Sequence, residues 1–400
     1  MPGQGYNLLF REPTMTVSAF QEIAFELGGK KATVFTRPGV FGWQGIDPAT
    51  ALLIAHMQID VHDTVLDLGC GCGVVGVAAA WAATWGRVYM VDCNVVALAC
   101  AQRTVEQNRL AHAEVRPSDV ADAVRETTFD VVVSHLPRGR EVARQFIIDA
   151  AAVLRPGGRL YIAGHNETGI KPMVEFARQV FGNSRVLAYK KGCRVALCVK
   201  GSQTQVPPGD YHRWRTGVAQ VGGRNWLFAA KPGIFSWQEL DAGTRVLIET
   251  MRILPGDRVL DLGCGCGIIG TVTAQTAREV YLVDSDIVAV EATRRTLALN
   301  GIPPTRAHVL ADDGADALND GEFDLVVTNP PFHQGRQTDY SVAHRFIRDA
   351  ARVLRPDGRF YLVANRFIRY EQEIARHFGQ LHVAYEDNAF RVLLAQKPRR

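Results

Sequence analysis

VLDLGCGCGIIG, residues 259–270, decides the fold. Val259-Leu-Asp-Leu262 is a short apolar run of the kind that forms a strand buried on both faces. Glycines 263, 265 and 267 then permit a tight turn, and a helix is expected from Gly267 to Ala277. Strand, glycine turn and helix open a parallel α/β sheet, whose ligands sit beyond the carboxyl ends of the strands. Working outward, Val280–Val283 reads as a second strand, and Ile287 to Leu299 as a helix that Asn300-Gly301 ends. Ala307–Leu310 and Phe323–Thr328 are further strands, Val342 to Leu354 a helix and Arg359–Val363 a strand. Upstream, Asp241–Arg252 reads as a leading helix and 211–230 as an irregular or hairpin lead-in.

The stretch occurs earlier with only two residues changed, as VLDLGCGCGVVG at 65–76, 194 positions before. RPGVFGW at 37–43 returns as KPGIFSW at 231–237, and FDVVVS at 129–134 as FDLVVT at 323–328. VLRPGGRLY at 153–161 returns as VLRPDGRFY at 353–361, so the second copy has gained six residues before this landmark. Two homologous domains follow, 1–200 and 211–400, joined by the polar, Pro-Pro-Gly-containing segment 201–210. With 47% hydrophobic and 22% charged residues, the 400-residue chain has ordinary globular composition. Its longest apolar stretch, Val74 to Trp85, is about half a membrane span, and no secretory signal is expected from MPGQGYNLLFREPTM. The formal charge of +4 permits a polyanionic partner without demanding one. Eight cysteines, four of them in the two glycine loops, suit a reducing cytoplasm and no disulfide framework. The two Cys-x-Cys pairs lack a second ligand pair at structural-zinc spacing, so no metal is expected.

Gly265-x-Gly267-x-x-Gly270, with Asp284 nineteen residues after Gly265, formally satisfies the dinucleotide fingerprint, which keeps NAD as a candidate. Asp261 at the strand end argues otherwise. A carboxylate repels a pyrophosphate and attracts an ammonium, and S-adenosylmethionine carries an ammonium and a sulfonium but no phosphate. The pattern Asp-x-Gly-x-Gly-x-Gly, followed by an acid ending the next strand, is similar to the class I methyltransferase signature. That resemblance implies that Asp261, Gly263, Gly265 and Gly267 hold the methionine and ribose side. It implies that Asp284 accepts from the ribose hydroxyls and that Asp312, with Asp313 as the near alternative, approaches the adenine.

Asn329-Pro330-Pro331-Phe332 follows the apolar strand FDLVVT, at the ligand edge. These residue types suit methylation of an exocyclic amino group on a planar base. The Asn329 carbonyl can accept one N–H and the Pro330 carbonyl the other, which favours a pyramidal nitrogen with its lone pair aimed at the methyl group. The prolines fix the backbone that presents the carbonyl. Phe332 can stack on an extruded base, worth about 1–3 kcal/mol, comparable to the cost of unstacking.

NPPFHQGRQTDYSVAHRFIRDAARVLRPDGRFYLVANRFIRY, 329–370, and KPGIFSWQELDAGTRVL, 231–247, resemble the RsmC/RlmG family of ribosomal RNA guanine-N2 methyltransferases. The likeness spans nearly all of the second copy, and a tandem layout with a degenerate first copy is also that family's. It implies two tandem Rossmann-like class I methyltransferase domains, each a mostly parallel sheet with helices on both faces. It further implies methyl transfer from S-adenosylmethionine to the N2 of a guanine in ribosomal RNA, free or in a subunit, in the cytoplasm. The loop His333-Gln-Gly335-Arg-Gln337-Thr338 resembles the small-subunit branch, with large-subunit RNA the runner-up. The short NPPF motif also occurs in adenine-N6 and glutamine-N5 methyltransferases. A non-catalytic RNA-binding assembly factor is the rival from another class, and the intact tetrapeptide argues against it. An oxidoreductase would need a hydride-acceptor site that NPPF does not offer.

At the aligned place the first copy reads Ser134-His135-Leu136-Pro137-Arg138, so the amide acceptor is gone and no methyl transfer is expected there. Its loop, Asp67-Leu-Gly69-Cys-Gly71-Cys-Gly73, and Asp92 are nevertheless intact, either as a cofactor site or as turn geometry. Arg138, Arg140 and Arg144, the stretch Tyr211-His-Arg213-Trp214-Arg215, Arg224, Trp226, Arg336 and the tail Lys397-Pro-Arg-Arg400 form a basic inventory that could meet RNA. Two fused copies can already mimic a dimer, which leaves a monomer open.

Overall fold

A computed structural model describes residues 20–205, 212–331 and 340–399. Two seven-stranded sheets of identical strand order form its two halves. In the second copy the strands run, edge to edge, Ala307–Ala311, Glu279–Asp284, Arg258–Leu262, Phe323–Thr328, Leu354–Asn365, Phe390–Pro398 and Phe378–Glu386. The first five are mutually parallel and the last two pair antiparallel. The first copy repeats this with Ala113–Pro117, Arg87–Asp92, Thr64–Leu68, Phe129–His135, Leu154–His165, Cys193–Val199 and Arg185–Lys190. The strand order reverses between Arg258–Leu262 and Phe323–Thr328, the switch point where such sheets open a crevice. The glycine loop follows one of these strands and the Asn-Pro-Pro motif the other.

Each face of the second sheet has its own apolar core. On one side Val259, Val280, Leu325 and Val363 pack against helices Ala242–Thr250, Ile268–Thr273 and Ile287–Leu299. On the other, Leu260, Leu262, Val326 and Leu362 pack against Ser341–Val353 and Glu371–His377. The lead-in is a hairpin, Arg215–Val221 with Arg224–Ala230, forming its own two-stranded sheet. Asn300 docks it: Oδ1 accepts from Leu227 N at 3.2 Å and Nδ2 donates to Leu227 O at 2.6 Å.

Two elements differ most from the sequence reading. The helix expected to reach Ala277 stops at Thr273. The Thr271 and Thr273 hydroxyls donate to the carbonyls of Gly267 and Ile269, both at 2.7 Å, and such back-bonding weakens the helical ladder. Val77 and Ala79 stand at these places in the first copy, where the helix runs Val74–Ala82. The strand expected over 359–363 extends to Leu354–Asn365, and it pairs with Phe390–Pro398, one of two C-terminal strands the sequence reading lacked. The linker falls partly outside the described residues; its first part packs back on the first copy, with Gln205 N donating to Val180 O at 2.8 Å.

The copies meet through equivalent elements. Val95 N donates to Ser285 O at 2.8 Å, and Ile287 N to Cys93 O at 2.9 Å. The RPG loop of one copy reaches the third-strand acid of the other: Arg37 Nη1 lies 2.9 Å from Asp313 Oδ2, and Lys231 pairs with Asp119. Arg37 and Lys231 are both buried, so the two ion pairs lie sealed within the contact between the copies.

Candidate active site

A cavity of about 1010 Å³ opens at the switch point of the second sheet. Gly263, Gly265, Asp284, Asp312, Asn329, Pro330 and Pro331 all line it, residues from four segments of the sequence. Arg37, Gly39 and Asn94 of the first copy also line it, so the cavity is composite. Phe332 and the His333–Thr338 loop lie outside the described residues.

The glycine turn has φ of +77° at Gly263, +56° at Gly265 and +78° at Gly267, which side chains disfavour. A Cβ on Gly267 would lie 2.7 Å from Thr293 Cγ2, so the loop sits tight on the next helix. A Cβ on Gly265 would meet nothing within 4 Å, which leaves that stretch of backbone open to a ligand. Asp284 Oδ2 accepts from Gly265 N at 2.9 Å and Oδ1 from Asp286 N at 3.0 Å, which fixes the carboxylate beside the turn. Burial raises its pKa, against the backbone N–H groups that lower it. Asp312 Oδ2 accepts from Ala317 N at 2.7 Å. Asp313 is committed elsewhere: Arg37 and Arg345 both pair with its Oδ2, at 2.9 and 2.6 Å.

Asp261 departs from its expected place. It does not line the cavity but lies beneath the turn, fully buried, where Oδ2 accepts from Gly270 N at 2.9 Å and ties strand to helix. Oδ1 has no hydrogen-bond partner. Burial, helped by the nearby Asp284 charge, pushes its pKa up to about 7. The folded value lies above the unfolded one, near 4, so this group's stabilising contribution is complete below pH 4 and is lost as pH rises through 7. Asp261→Asn is therefore expected to gain melting temperature relative to the wild type between pH 4 and 7, then level off. The full swing is at most about 4 kcal/mol. A pH-independent difference in calorimetry would mean that Asp261 titrates normally.

Cys264 and Cys266 are packing elements of the turn. Burial lifts the Cys264 thiol well above its usual value and Cys266 to about 11. Among the described residues, two clusters have ligand-type atoms within 4.8 Å of one another, Asp47–His135–His165 and Asp122–Asp149–His212, and neither contains a cysteine.

The orientation of Asn329 is fixed by two residues the sequence reading missed, both of which also line the cavity. Its Nδ2 donates to Asp241 Oδ2 at 3.0 Å and to Thr244 Oγ1 at 2.9 Å. A carboxylate only accepts, so the amide nitrogen must face Asp241 and the amide oxygen is left for the cavity. Asp241 also caps helix Ala242–Thr250 through Thr244 N at 2.7 Å. The available signal was the repeat itself, since Asp47 and Thr50 stand at the same places before the first glycine loop. There His135 replaces the asparagine, with Nδ1 2.9 Å from Thr50 Oγ1 and Phe41 edge-on at 4.6 Å. Burial, opposed by Asp47 and aided by His165, lowers the His135 pKa to about 4, so this ring is neutral at pH 7.

The basic inventory is partly consumed by the fold. Trp226 is buried in the core. Trp214 lies under the Lys231 and Arg295 cations, and Arg215 lies over Trp237. Arg138, Arg140, Arg213 and Arg224 are exposed. Tyr211, Arg336 and Arg400 lie outside the described residues. No helix among the described residues is long and apolar enough to cross a membrane.

The family model of the methyltransferase small domain matches residues 31–196 and 225–394, once in each copy. The ribosomal RNA small subunit methyltransferase C of Stutzerimonas stutzeri (strain A1501) is 36% identical over 271 residues, 67% of this chain and 79% of that protein. The protein of the same name from Pseudomonas entomophila (strain L48) is 34% identical over 276 residues, 68% of this chain and 81% of that protein. Among solved structures, the T. thermophilus 16S rRNA N2 G1207 methyltransferase (RsmC), in complex with AdoMet and guanosine, superposes with a TM-score of 0.82 at 29% identity. That match covers 94% of this chain and 98% of that one.

Proposed function

The chain belongs to the ribosomal RNA small subunit methyltransferase C family of methyltransferase small-domain proteins, and from that membership we propose that it methylates the exocyclic N2 of a guanine in 16S ribosomal RNA. S-adenosylmethionine is the cofactor and, when bound, supplies the electrophilic methyl group. The observation that carries this reading is the Asn329 amide, held by Asp241 and Thr244 so that its oxygen is left for the cavity shared with the glycine loop.

Cavity and cofactor agree in chemistry. The open backbone at Gly265 admits close approach, the Asp284 carboxylate beside it suits ribose hydroxyls, and Asp312 suits the adenine amino group. Asp313 is withdrawn into its ion pairs, which favours Asp312 for that role. Asp261 acts through the turn, holding it from below. Asn329 Oδ1 and the Pro330 carbonyl accept the two N–H bonds of the guanine amino group. As positive charge develops on that nitrogen, both acceptors are already in place and need no reorganisation. Pro331 stiffens the backbone that presents the Pro330 carbonyl; Phe332, outside the described residues, is the side chain expected to stack on the base. The second copy, 211–400, is thus the catalytic domain. The first, 1–200, has lost transfer and serves as wall and support, with Arg138 and Arg140 available to phosphates. The expected setting is the cytoplasm, with ribosomal RNA or the small subunit as partner.

The test is product identification. The protein is incubated with labelled S-adenosylmethionine and undermodified ribosomal RNA, free and in subunits, and the RNA is digested to nucleosides for mass spectrometry. The expected product is N2-methylguanosine from 16S RNA. Label on adenosine, or on large-subunit RNA alone, would overturn the assignment.

A further inference from the structure

We propose that the first copy binds a divalent transition-metal ion of the zinc class through Asp47, His135 and His165, at the place where the second copy keeps Asn329.

The two copies diverge there in one direction. His135 ends strand Phe129–His135, where Asn329 follows Phe323–Thr328. His165 ends strand Leu154–His165, and Asn365 ends its counterpart, Leu354–Asn365. On the adjoining antiparallel strand Cys193 pairs with His165, as Phe390 pairs with Asn365. Two amides and a phenyl ring in the second copy are thus two imidazoles and a thiol in the first. They surround an aspartate that both copies have, Asp47 or Asp241. Loss of methyl transfer alone does not call for replacements of this one kind. Imidazole nitrogen with carboxylate oxygen is the donor set of zinc and its first-row neighbours.

The geometry is that of a three-ligand site. The ligand atoms of Asp47, His135 and His165 all lie within 4.8 Å of one another. His165 Nε2 is 2.8 Å from Asp47 Oδ2, and His135 Nδ1 is 3.8 Å from Asp47 Oδ1. Nitrogen and oxygen ligands of a tetrahedral zinc stand about 3.3 Å apart, between those two distances. All three side chains are held by regular structure. Asp47 caps helix Pro48–His56, its Oδ1 accepting from Ala49 N at 2.7 Å, and the histidines end neighbouring parallel strands. Partners behind the ligands are in place as well. A metal-bound imidazole gives its other N–H to an acceptor, and His165 Nδ1 lies 3.4 Å from Cys193 Sγ. Thr50 Oγ1, 2.9 Å from His135 Nδ1, can turn to a water on the ion. The His165 side chain is 29% exposed, so such a water can reach the fourth position. Binding takes His165 as the neutral tautomer with its proton on Nδ1. The ion ties the start of a helix to the ends of two strands, in a domain whose role is support.

The other cluster, Asp122–Asp149–His212, is a poorer host. Arg125 Nη2 lies 3.4 Å from both ring nitrogens of His212, so a guanidinium already holds the approach that a cation needs.

The full chain, stripped of metal by a chelator and dialysed, is titrated with Zn2+ against a chromophoric chelator and with Co2+ by absorbance. One equivalent of Zn2+ per chain is expected, and Co2+ should give the intense visible bands of a tetrahedral site. His135→Asn and His165→Asn, which install the second copy's residues, should each weaken zinc binding by at least about a hundredfold, and Cys193→Ala by about tenfold. Zinc should raise the melting temperature of the wild type and not of the two histidine variants. Their melting in chelator, close to that of the wild type, reports that they fold. His212→Ala should bind zinc as the wild type does. Failure of the wild type to take up one equivalent would overturn the proposal, and so would an equivalent that both histidine variants keep. Zinc lost from His212→Ala but kept by the histidine variants would place the ion at the other cluster and overturn it too.

Discussion

Asn329→Ala is expected to lower kcat by about a thousandfold while changing the dissociation constant for S-adenosylmethionine less than threefold. The cofactor loop and Asn329 lie on different strand ends, so removing the amide leaves the turn, Asp284 and Asp312 untouched. What is lost is the acceptor that Asp241 and Thr244 orient, at 3.0 and 2.9 Å from the amide nitrogen. Without it the guanine amino group keeps its lone pair in the ring, and only the Pro330 carbonyl opposes that. The loss should fall on kcat, since charge on the nitrogen develops in the transition state and not in the ground state. Single-turnover rates with saturating RNA, beside cofactor titrations, separate these effects. A variant keeping a tenth of the wild-type rate would remove Asn329 from the chemistry.

Legibility in the sequence followed the range of the interaction. The strand–turn–helix unit at 259–270 is local, so five parallel strands and the crevice at their switch point could be placed from it. The edge strand Phe378–Glu386 could not. Apart from its first residue it is largely exposed and carries no continuous apolar run, so nothing in its composition marks it as a strand. The helix after the second glycine loop was overextended because its apolar pattern continued while two threonines turned their hydroxyls on the backbone. Gly263, Gly265, Asp284, Asp312 and Asn329 could be placed at the cavity from the sequence because each ends or follows a strand at the carboxyl edge. Asp261 stands one residue inside its strand, in register with Leu282 and Val327, two positions deeper than Asp284 and Asn329, so it lies beneath the turn. Asp241, Thr244 and Arg37 were missed for a different reason. They act across 88, 85 and 276 positions of sequence, on Asn329 and Asp313 respectively, and no local pattern carries such pairings.

The second large effect is expected at Asp241, which lines the cavity beside Asn329 and orients its amide. Asp241→Ala should lower kcat by about a hundredfold and cost about 1 kcal/mol of stability. Both consequences follow from one oxygen: Asp241 Oδ2 caps Thr244 N at 2.7 Å and accepts from Asn329 Nδ2 at 3.0 Å. A carboxylate only accepts and so obliges Asn329 to turn its NH2 toward Asp241 and its oxygen to the guanine. Without it, the Thr244 hydroxyl can donate as well as accept, so Asn329 can turn over and face the guanine with two donors, which repel the N–H groups they should receive. Asp241→Asn separates the charge from the hydrogen bonds. Asparagine caps as well as aspartate, and the amide oxygen that keeps the cap is the one that faces Asn329, so the melting temperature and most of kcat should be retained. If Asp241→Ala retains full kcat, Thr244 Oγ1 alone holds the amide, and Asp241 is no more than a helix cap.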